Sequence, residues 1–285
     1  MDAEAARSAA ILAASGAGVP HDLAAALRYL QQAAEHGSRP AQAELAALVG
    51  NWRLVREIGA GKGLGEGMPE RLRAAVDLGA WRRLPKGEAF SAAPRIAVVR
   101  GFVSAQICDW LVGLGRPHLR AAEVFDAASG DPSEYVGRTN RSAELLLART
   151  DVVLAFVRSR IAAMTGVPIQ GFEPSQVLHY EVGQEFRAHH DFLDVRVPAL
   201  ADDVAARGQR ALTVLIYLND GYEGGHTAFA HLGRSFKGRK GDALVLWNVG
   251  GDGAPDWRTL HAGTAPTRGE KWLFSQWIRI RNRAR

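Results

Sequence analysis

The sequence predicts an α+β protein in which a small all-α region precedes a β-rich domain. Residues 1 to about 88 are rich in alanine and leucine at helical spacing, whereas the rest of the chain is dominated by short strand-like segments between glycine-rich turns. The junction LPKGEAFSAAP, at residues 84–94, contains proline, glycine and serine, which are typical of a domain boundary. We therefore predict an α-helical region at 1–88 and a β-rich domain at 89–285.

The first region is predicted to contain helices near residues 3–15, 22–36 and 39–49, with Asp22 as an N-cap and Gly37 as a C-terminal stop. Its pattern of small residues, as in DLAAALRYLQQAAEHG, resembles a tetratricopeptide-like repeat of the Sel type. One full copy and a degraded second copy are visible, and fewer than three repeats rarely fold alone. We expect this region to lean on the β-rich domain, either as a cap or as a docking surface for a protein partner.

The β-rich domain begins with the strand RIAVVRGF, a helix capped by Ser104, and the helix TDVVLAFVRSRIAAMTG, which ends at Gly166. Strands follow at SQVLHYEV, EFRAHHDF, ALTVLIYL, GHTAFA, ALVLWNV, HAGTAPT and KWLFSQWIRI. Many short strands after two supporting helices predict a double-stranded β-helix, the jelly-roll or cupin architecture. Its open end is where such a fold holds small ligands.

Composition limits the function classes. The chain has 285 residues, 47% of them hydrophobic, and one cysteine, Cys108, so no intramolecular disulfide can form. The N-terminus lacks a basic stretch followed by an apolar segment, and no run approaches the roughly eighteen apolar residues of a membrane span, so we expect a cytoplasmic protein without a membrane anchor. The net charge is +5, but Lys and Arg are scattered rather than clustered, which argues against nucleic acid as a partner.

The segment HYEVGQEFRAHHDFLD and the downstream RTLHAGTAPTRGEKW carry the chemistry. On a strand, His189 and Asp191 project to one face while His190 points away, so period two selects His189 as a metal ligand. We assign the third ligand to His261. Two imidazoles and one carboxylate on one face leave positions open on a divalent metal for a cosubstrate and oxygen. Lys271 follows on a strand, where its ammonium can pair with the distal carboxylate of a diacid.

With these motifs the chain resembles the prolyl 4-hydroxylase-like branch of the iron(II) and 2-oxoglutarate-dependent oxygenases. The resemblance runs from about Pro94 to the C-terminus and is carried by YEVGQEFRAHHDF, YLNDGYEGGHT, KGDALVLW and LHAGTAPTRGEKW. It implies Fe(II), 2-oxoglutarate as cosubstrate, O2, and ascorbate as reductant. The implied iron ligands, which are also the catalytic residues, are His189, Asp191 and His261. The implied cosubstrate-binding residues are Tyr180, Thr227 and Lys271, and strand parity adds Trp277 to the same pocket.

The resemblance also implies substrate contacts. Arg210 lies where relatives place a substrate-contacting arginine, and Arg138 lies in RTNRS, which matches an RTS-type segment near the cleft. Phe186 departs from the family pattern, because prolyl hydroxylases commonly carry a tyrosine there. The polar connection from Leu193 to Gln209 matches a segment that the family often uses as a lid.

Three functions follow from these observations. The first is a hydroxylase of a protein or peptide side chain, with proline the first residue to test, coupled to decarboxylation of 2-oxoglutarate to succinate. The second, favoured by Phe186, is a hydroxylase of a free amino acid or another small metabolite. The third is an inert scaffold that binds a partner through the repeat.

Overall fold

The computed structural model describes residues 1–122, 124–125, 132–133 and 137–281. Its internal contacts divide the chain into two compact units. Unit 1 consists of Met1–Leu84 and Ala148–Gln170, and unit 2 consists of Pro85–Leu147 and Gly171–Arg285.

The α-helices are α1 Ala3–Ser15, α2 Leu23–Glu35, α3 Arg39–Leu48, α4 Trp52–Gly59, α5 Met68–Ala75, α6 Leu78–Arg82, α7 Ala105–Gly115, α8 Val152–Thr165 and α9 Pro198–Arg207. The strands are β1 Gly87–Ser91, β2 Ile96–Val99, β3 Arg120–Ala121, β4 Val124–Phe125, β5 Pro132–Ser133, β6 Arg141–Leu145, β7 Ser175–Tyr180, β8 Phe186–His189, β9 Gln209–Tyr217, β10 Glu223–Gly224, β11 Thr227–Phe229, β12 Arg234–Phe236, β13 Ala243–Trp247, β14 His261–Gly263, β15 Pro266–Arg268 and β16 Lys271–Ile280.

Unit 1 is helical in the part of it that the structure describes, which confirms the predicted all-α character of the N-terminal region. Apart from α5, its α-helices start at side-chain caps, for example Asp22, whose carboxylate accepts from the Ala25 N–H. Helix α8, which we expected to support the β-rich domain, belongs to this unit. The reason is a fully apolar N-terminal half: α8 buries Val152 through Val157, and the buried Glu44 carboxylate accepts from its Val152 N–H.

Unit 2 contains two main antiparallel sheets, and this architecture confirms the predicted jelly-roll fold. The large sheet has the order β1-β2-β13-β9-β16-β7-β6-β3, and the small sheet has the order β12-β11-β14-β8. The core lies on their inner faces and includes Leu178, Tyr180, Tyr217, Phe229 and Leu273. Because side chains alternate along each strand, every second residue of β7, β9 and β16 lines this inner face.

The polar connection after β8 contains a helix that the sequence analysis did not predict. Asp191 lies just beyond the end of β8, and helix α9 occupies Pro198–Arg207 within the polar connection. Pro198 at the first helical position fits a helix start. Among the described residues, no helix combines the length and the apolar character that crossing a lipid bilayer requires.

Candidate metal and cosubstrate site

His189, Asp191 and His261 come together at the small sheet of unit 2. Strand β14 pairs with β8 so that His261 lies directly opposite His189. One possible ligand atom from each of the three side chains lies within 4.8 Å of the others. The Nε2 atoms of His189 and His261 are 3.7 Å and 3.6 Å from the two carboxylate oxygens of Asp191. This donor set suits a divalent transition metal, as the sequence predicted.

Both imidazoles are oriented by the backbone. The Nδ1 atom of His189 lies 2.8 Å from the Arg187 carbonyl oxygen, and that of His261 lies 2.9 Å from the Thr259 carbonyl oxygen. A carbonyl oxygen can only accept, so each Nδ1 carries the hydrogen and each Nε2 keeps its lone pair for a metal.

The electrostatics of the cluster favour the metal-binding protonation states. Burial, together with the neighbouring His261, lowers the pKa of His189, which keeps this imidazole neutral. Burial alone would raise the pKa of Asp191, but His261, His189 and a hydrogen bond from Thr213 hold it below its ordinary value. A neutral imidazole beside a carboxylate is the state that a metal ion requires.

A hydrogen-bond relay supports Asp191 from the large sheet. The Thr213 hydroxyl donates to Asp191 Oδ2 at 2.7 Å, and the Asn248 side-chain amide donates to Thr213 Oγ1 at 2.9 Å. Thr213 and Asn248 are both fully buried. Neither was identified from the sequence, because strand threonines are ordinary β formers and only the pairing of β9 with β13 brings these two residues together.

A cavity between the two sheets is lined by the three metal-binding side chains. Its walls include the predicted cosubstrate residues Tyr180, Thr227, Lys271 and Trp277. Lys271 is fully buried, and its ammonium has no hydrogen-bond partner within the part of the chain that the structure describes. Burial, reinforced by the nearby Lys237, lowers its pKa to about 7. A buried cation facing a cavity is chemically suited to pair with a carboxylate.

The predicted substrate residues divide into two groups. Phe186 and Arg138 line the cavity, with the Phe186 ring stacked on the His189 ring at a centroid distance of 3.5 Å. The Arg138 guanidinium lies 4.6 Å from the centroid of the Phe186 ring. Arg210 is placed differently: Glu173 accepts two hydrogen bonds from it, at 2.7 and 2.8 Å, and its guanidinium stacks over the Trp277 ring at 3.8 Å. Arg210 therefore supports a cavity wall instead of lining it.

Comparisons with known proteins agree with this geometry. Residues 175–279 match the model of the 2OG-Fe(II) oxygenase superfamily. Two similar curated proteins are from Arabidopsis thaliana. A probable prolyl 4-hydroxylase 10 is 32% identical over 68% of this chain and 71% of its own length, and prolyl 4-hydroxylase 1 is 34% identical over 68% and 72%.

A solved structure, that of a viral collagen prolyl hydroxylase from Paramecium Bursaria Chlorella virus-1 with 2OG, is 23% identical. The structural match covers 65% of this chain and 96% of the viral chain, with a TM-score of 0.49. Sequence identity above 30% over two thirds of the plant enzymes, together with the matched superfamily model, establishes the relationship. The chain therefore belongs to the 2OG-Fe(II) oxygenase superfamily, as a prolyl 4-hydroxylase-like dioxygenase that depends on Fe(II) and 2-oxoglutarate.

Proposed function

We propose that this enzyme hydroxylates a prolyl side chain of a protein or peptide and that His189, Asp191 and His261 hold its iron. The observation that carries the proposal is one cavity with the three metal-binding side chains at one end and, at the other, a buried ammonium that has no hydrogen-bond partner among the described residues. Relatives that are named prolyl 4-hydroxylases, with the identities given above, support proline as the residue to be modified.

The residues that line the cavity have separate roles in binding the metal and 2-oxoglutarate. The two Nε2 atoms and the Asp191 carboxylate provide the metal ligands, and Lys271 pairs with the distal carboxylate of 2-oxoglutarate. Tyr180 and Thr227, both buried, line the wall beside it and contribute hydroxyl groups. When bound, iron and 2-oxoglutarate supply oxygen activation coupled to formation of succinate and CO2. The protein contributes orientation and a shielded cavity.

On the substrate side, we propose that Phe186 and Arg138 form the walls that position the proline, while Trp277 belongs to the wall of the cosubstrate pocket. Phe186 offers an apolar ring face where a tyrosine hydroxyl would offer a hydrogen bond. That difference favours a second candidate, hydroxylation of a free amino acid or another small metabolite.

The test compares these substrates directly. The iron-loaded enzyme, with ascorbate as reductant, is incubated with a proline-rich peptide, with the same peptide carrying alanine for proline, and with free L-proline. We expect succinate formation and a mass gain of one oxygen atom on the proline peptide only. Modification of free L-proline with an unmodified peptide would replace the first function by the second.

We further propose that the helical region, predicted at residues 1–88, docks a protein substrate. Deleting it is a poor test, because α8 shares unit 1 with these helices and would lose its packing partners. Charge reversal at an exposed position of α2, Arg28→Glu, leaves the packing intact. With an identified protein substrate, KM for the protein should rise while KM for a short peptide stays unchanged. If the variant keeps the wild-type KM for the protein as well as for the peptide, this helix face has no docking role.

A further inference from the structure

The side chain of Asn219 makes an unusual pair of contacts next to Lys271. Its amide nitrogen donates to the Glu270 carbonyl oxygen at 2.7 Å, and its amide oxygen accepts from the Trp272 N–H at 2.8 Å. One carboxamide thus bonds the backbone on both sides of Lys271. Because one partner is a carbonyl and the other an N–H, the orientation of the carboxamide is unambiguous.

The topology explains why a side chain is needed here. On one side of β16, Lys271 pairs in register with Tyr180 of β7. On the other side of β16, the pairing with β9 ends where Tyr217 lies opposite Leu273. One more backbone hydrogen bond follows, in which the Leu218 N–H donates to the Trp272 carbonyl oxygen. Beyond Leu218 the chain leaves the sheet. The Asn219 side chain then provides the two hydrogen bonds that a continuing strand would have provided.

The residues that flank Lys271 are also fixed on the outer face of the sheet. The Trp272 ring packs on the His179 ring at a centroid distance of 4.2 Å, and His179 Nε2 lies 2.7 Å from a Glu270 carboxylate oxygen. With its neighbours turned outward, Lys271 must point inward, since adjacent side chains on a strand take opposite faces. The ammonium itself has no hydrogen-bond partner among the described residues, and its one recorded contact is with the Tyr180 ring, whose centroid lies 5.0 Å away.

We propose that Asn219 is a positioning residue for 2-oxoglutarate: by fixing the backbone on both sides of Lys271, it places the ammonium that meets the distal carboxylate. This inference rests on the proposed role of Lys271. Asn219 is only half-buried, so its replacement removes two hydrogen bonds without opening a cavity in the core.

The test uses two ligands that differ in one carboxylate. Binding of 2-oxoglutarate and of 2-oxopentanoate, a keto acid without the distal carboxylate, is measured by calorimetry on the Mn(II)-loaded full-length protein. In Asn219→Ala we expect Kd for 2-oxoglutarate to rise about tenfold, the loss typical of two hydrogen bonds, and Kd for 2-oxopentanoate to change by less than about twofold. Turnover at saturating 2-oxoglutarate should be retained, which places the loss in KM and not in kcat.

Two further variants separate the possible failures. Gln209→Ala is the matched control, because the Gln209 carboxamide bonds both the N–H and the carbonyl of Leu193 in the same bidentate manner at a place remote in sequence from Lys271. It should leave the ratio of the two Kd values unchanged. Lys271→Met should abolish the preference for the diacid, and adding Asn219→Ala to it should have no further effect.

The outcomes are distinguishable. If Lys271→Met loses the preference while Asn219→Ala keeps it, or if Asn219→Ala weakens both ligands equally, the role of Asn219 is overturned and that of Lys271 stands. If Lys271→Met keeps the preference, both roles fall. Should Asn219→Ala fold poorly, Asn219→Asp serves instead. It keeps the acceptor for the Trp272 N–H but loses the donor to Glu270, so it should also reduce the preference, and an unchanged ratio there overturns the proposal.

Discussion

The two ends of the cavity are built on opposite principles. At the metal end, each charged or polar side chain has a partner: the imidazoles bond backbone carbonyls, and Asp191 accepts from Thr213. At the opposite end, the Lys271 ammonium is fully buried, has no hydrogen-bond partner in the described chain and lies 5.0 Å from the centroid of the Tyr180 ring. A second lysine, Lys237, further lowers its pKa.

This difference shows how each end is prepared for its ligand. Partners at the metal end fix the ligand atoms in advance, so that little ordering remains to be done when the metal binds. The ammonium end is instead left electrostatically unsatisfied, and a dicarboxylate relieves that cost on binding. The first end should therefore be sensitive to geometry, and the second to charge.

The largest effect is expected for Asp191→Ala. Removing the one carboxylate among the three metal-binding side chains should abolish high-affinity Mn(II) binding, measured by calorimetry, and reduce substrate-dependent succinate formation to background. Asp194→Ala is the control, because Asp194 is paired with Arg196 in the following loop and should retain both properties. Metal binding at wild-type strength in Asp191→Ala would remove the assignment of this end as the metal site.

A smaller loss is expected for Thr213→Val, which keeps the volume but removes the hydroxyl that donates to Asp191. Metal affinity should fall by about ten- to a hundredfold, the usual range for a group that orients a ligand. Thr264→Val is a matched control, because the Thr264 hydroxyl bonds the backbone of His226 and not a metal-binding side chain. Unchanged Mn(II) affinity in Thr213→Val would show that metal binding does not depend on the hydrogen bond from Thr213 to Asp191.

The sequence predicts the two ends with different success. The two-residue period of a strand selects His189 as a metal ligand and excludes His190. In the structure His190 turns away from the metal-binding side chains, and its Nε2 lies 3.0 Å from the Trp257 carbonyl oxygen. The strand that starts at Lys271 is also found where the sequence predicts it. These successes depend on local periodicity, which is visible in a single stretch of chain.

The supporting residues could not be predicted in the same way. Thr213, Asn248 and Asn219 act through partners that lie 22 or more residues away, and only the register of the large sheet brings them together. The same limit explains Arg210, whose strand position is clear from sequence but whose carboxylate partner, Glu173, is not.

At the ammonium end, charge should dominate over packing. Lys271→Met replaces a desolvated cation with an apolar chain of similar length, so the ligand-free protein should become more stable by a few kcal/mol at pH 6. The sign follows from the lowered pKa. Between about 7 and 10.5 the folded wild type binds fewer protons than the unfolded chain, so its stability rises with pH over this window. Thermal unfolding of both proteins at pH 6 and pH 9 measures this. A variant less stable than the wild type at pH 6 would contradict the electrostatic account.

The smallest effect concerns the proton that accompanies 2-oxoglutarate. In the protein without 2-oxoglutarate the pKa of Lys271 is about 7, so this side chain is mostly neutral at pH 8 and mostly charged at pH 6. A bound carboxylate favours the ammonium, so 2-oxoglutarate should take up close to one proton at pH 8 and very little at pH 6. Its Kd should consequently rise as the pH increases from 7 to 8, by less than about tenfold.

This proton uptake is measured by calorimetry of the Mn(II)-loaded protein in buffers of different ionisation enthalpy. The control ligand is 2-oxopentanoate, which lacks the second carboxylate. Equal proton uptake with both keto acids would place the titrating group at the metal end, and the contrast between the two ends would then have to be abandoned.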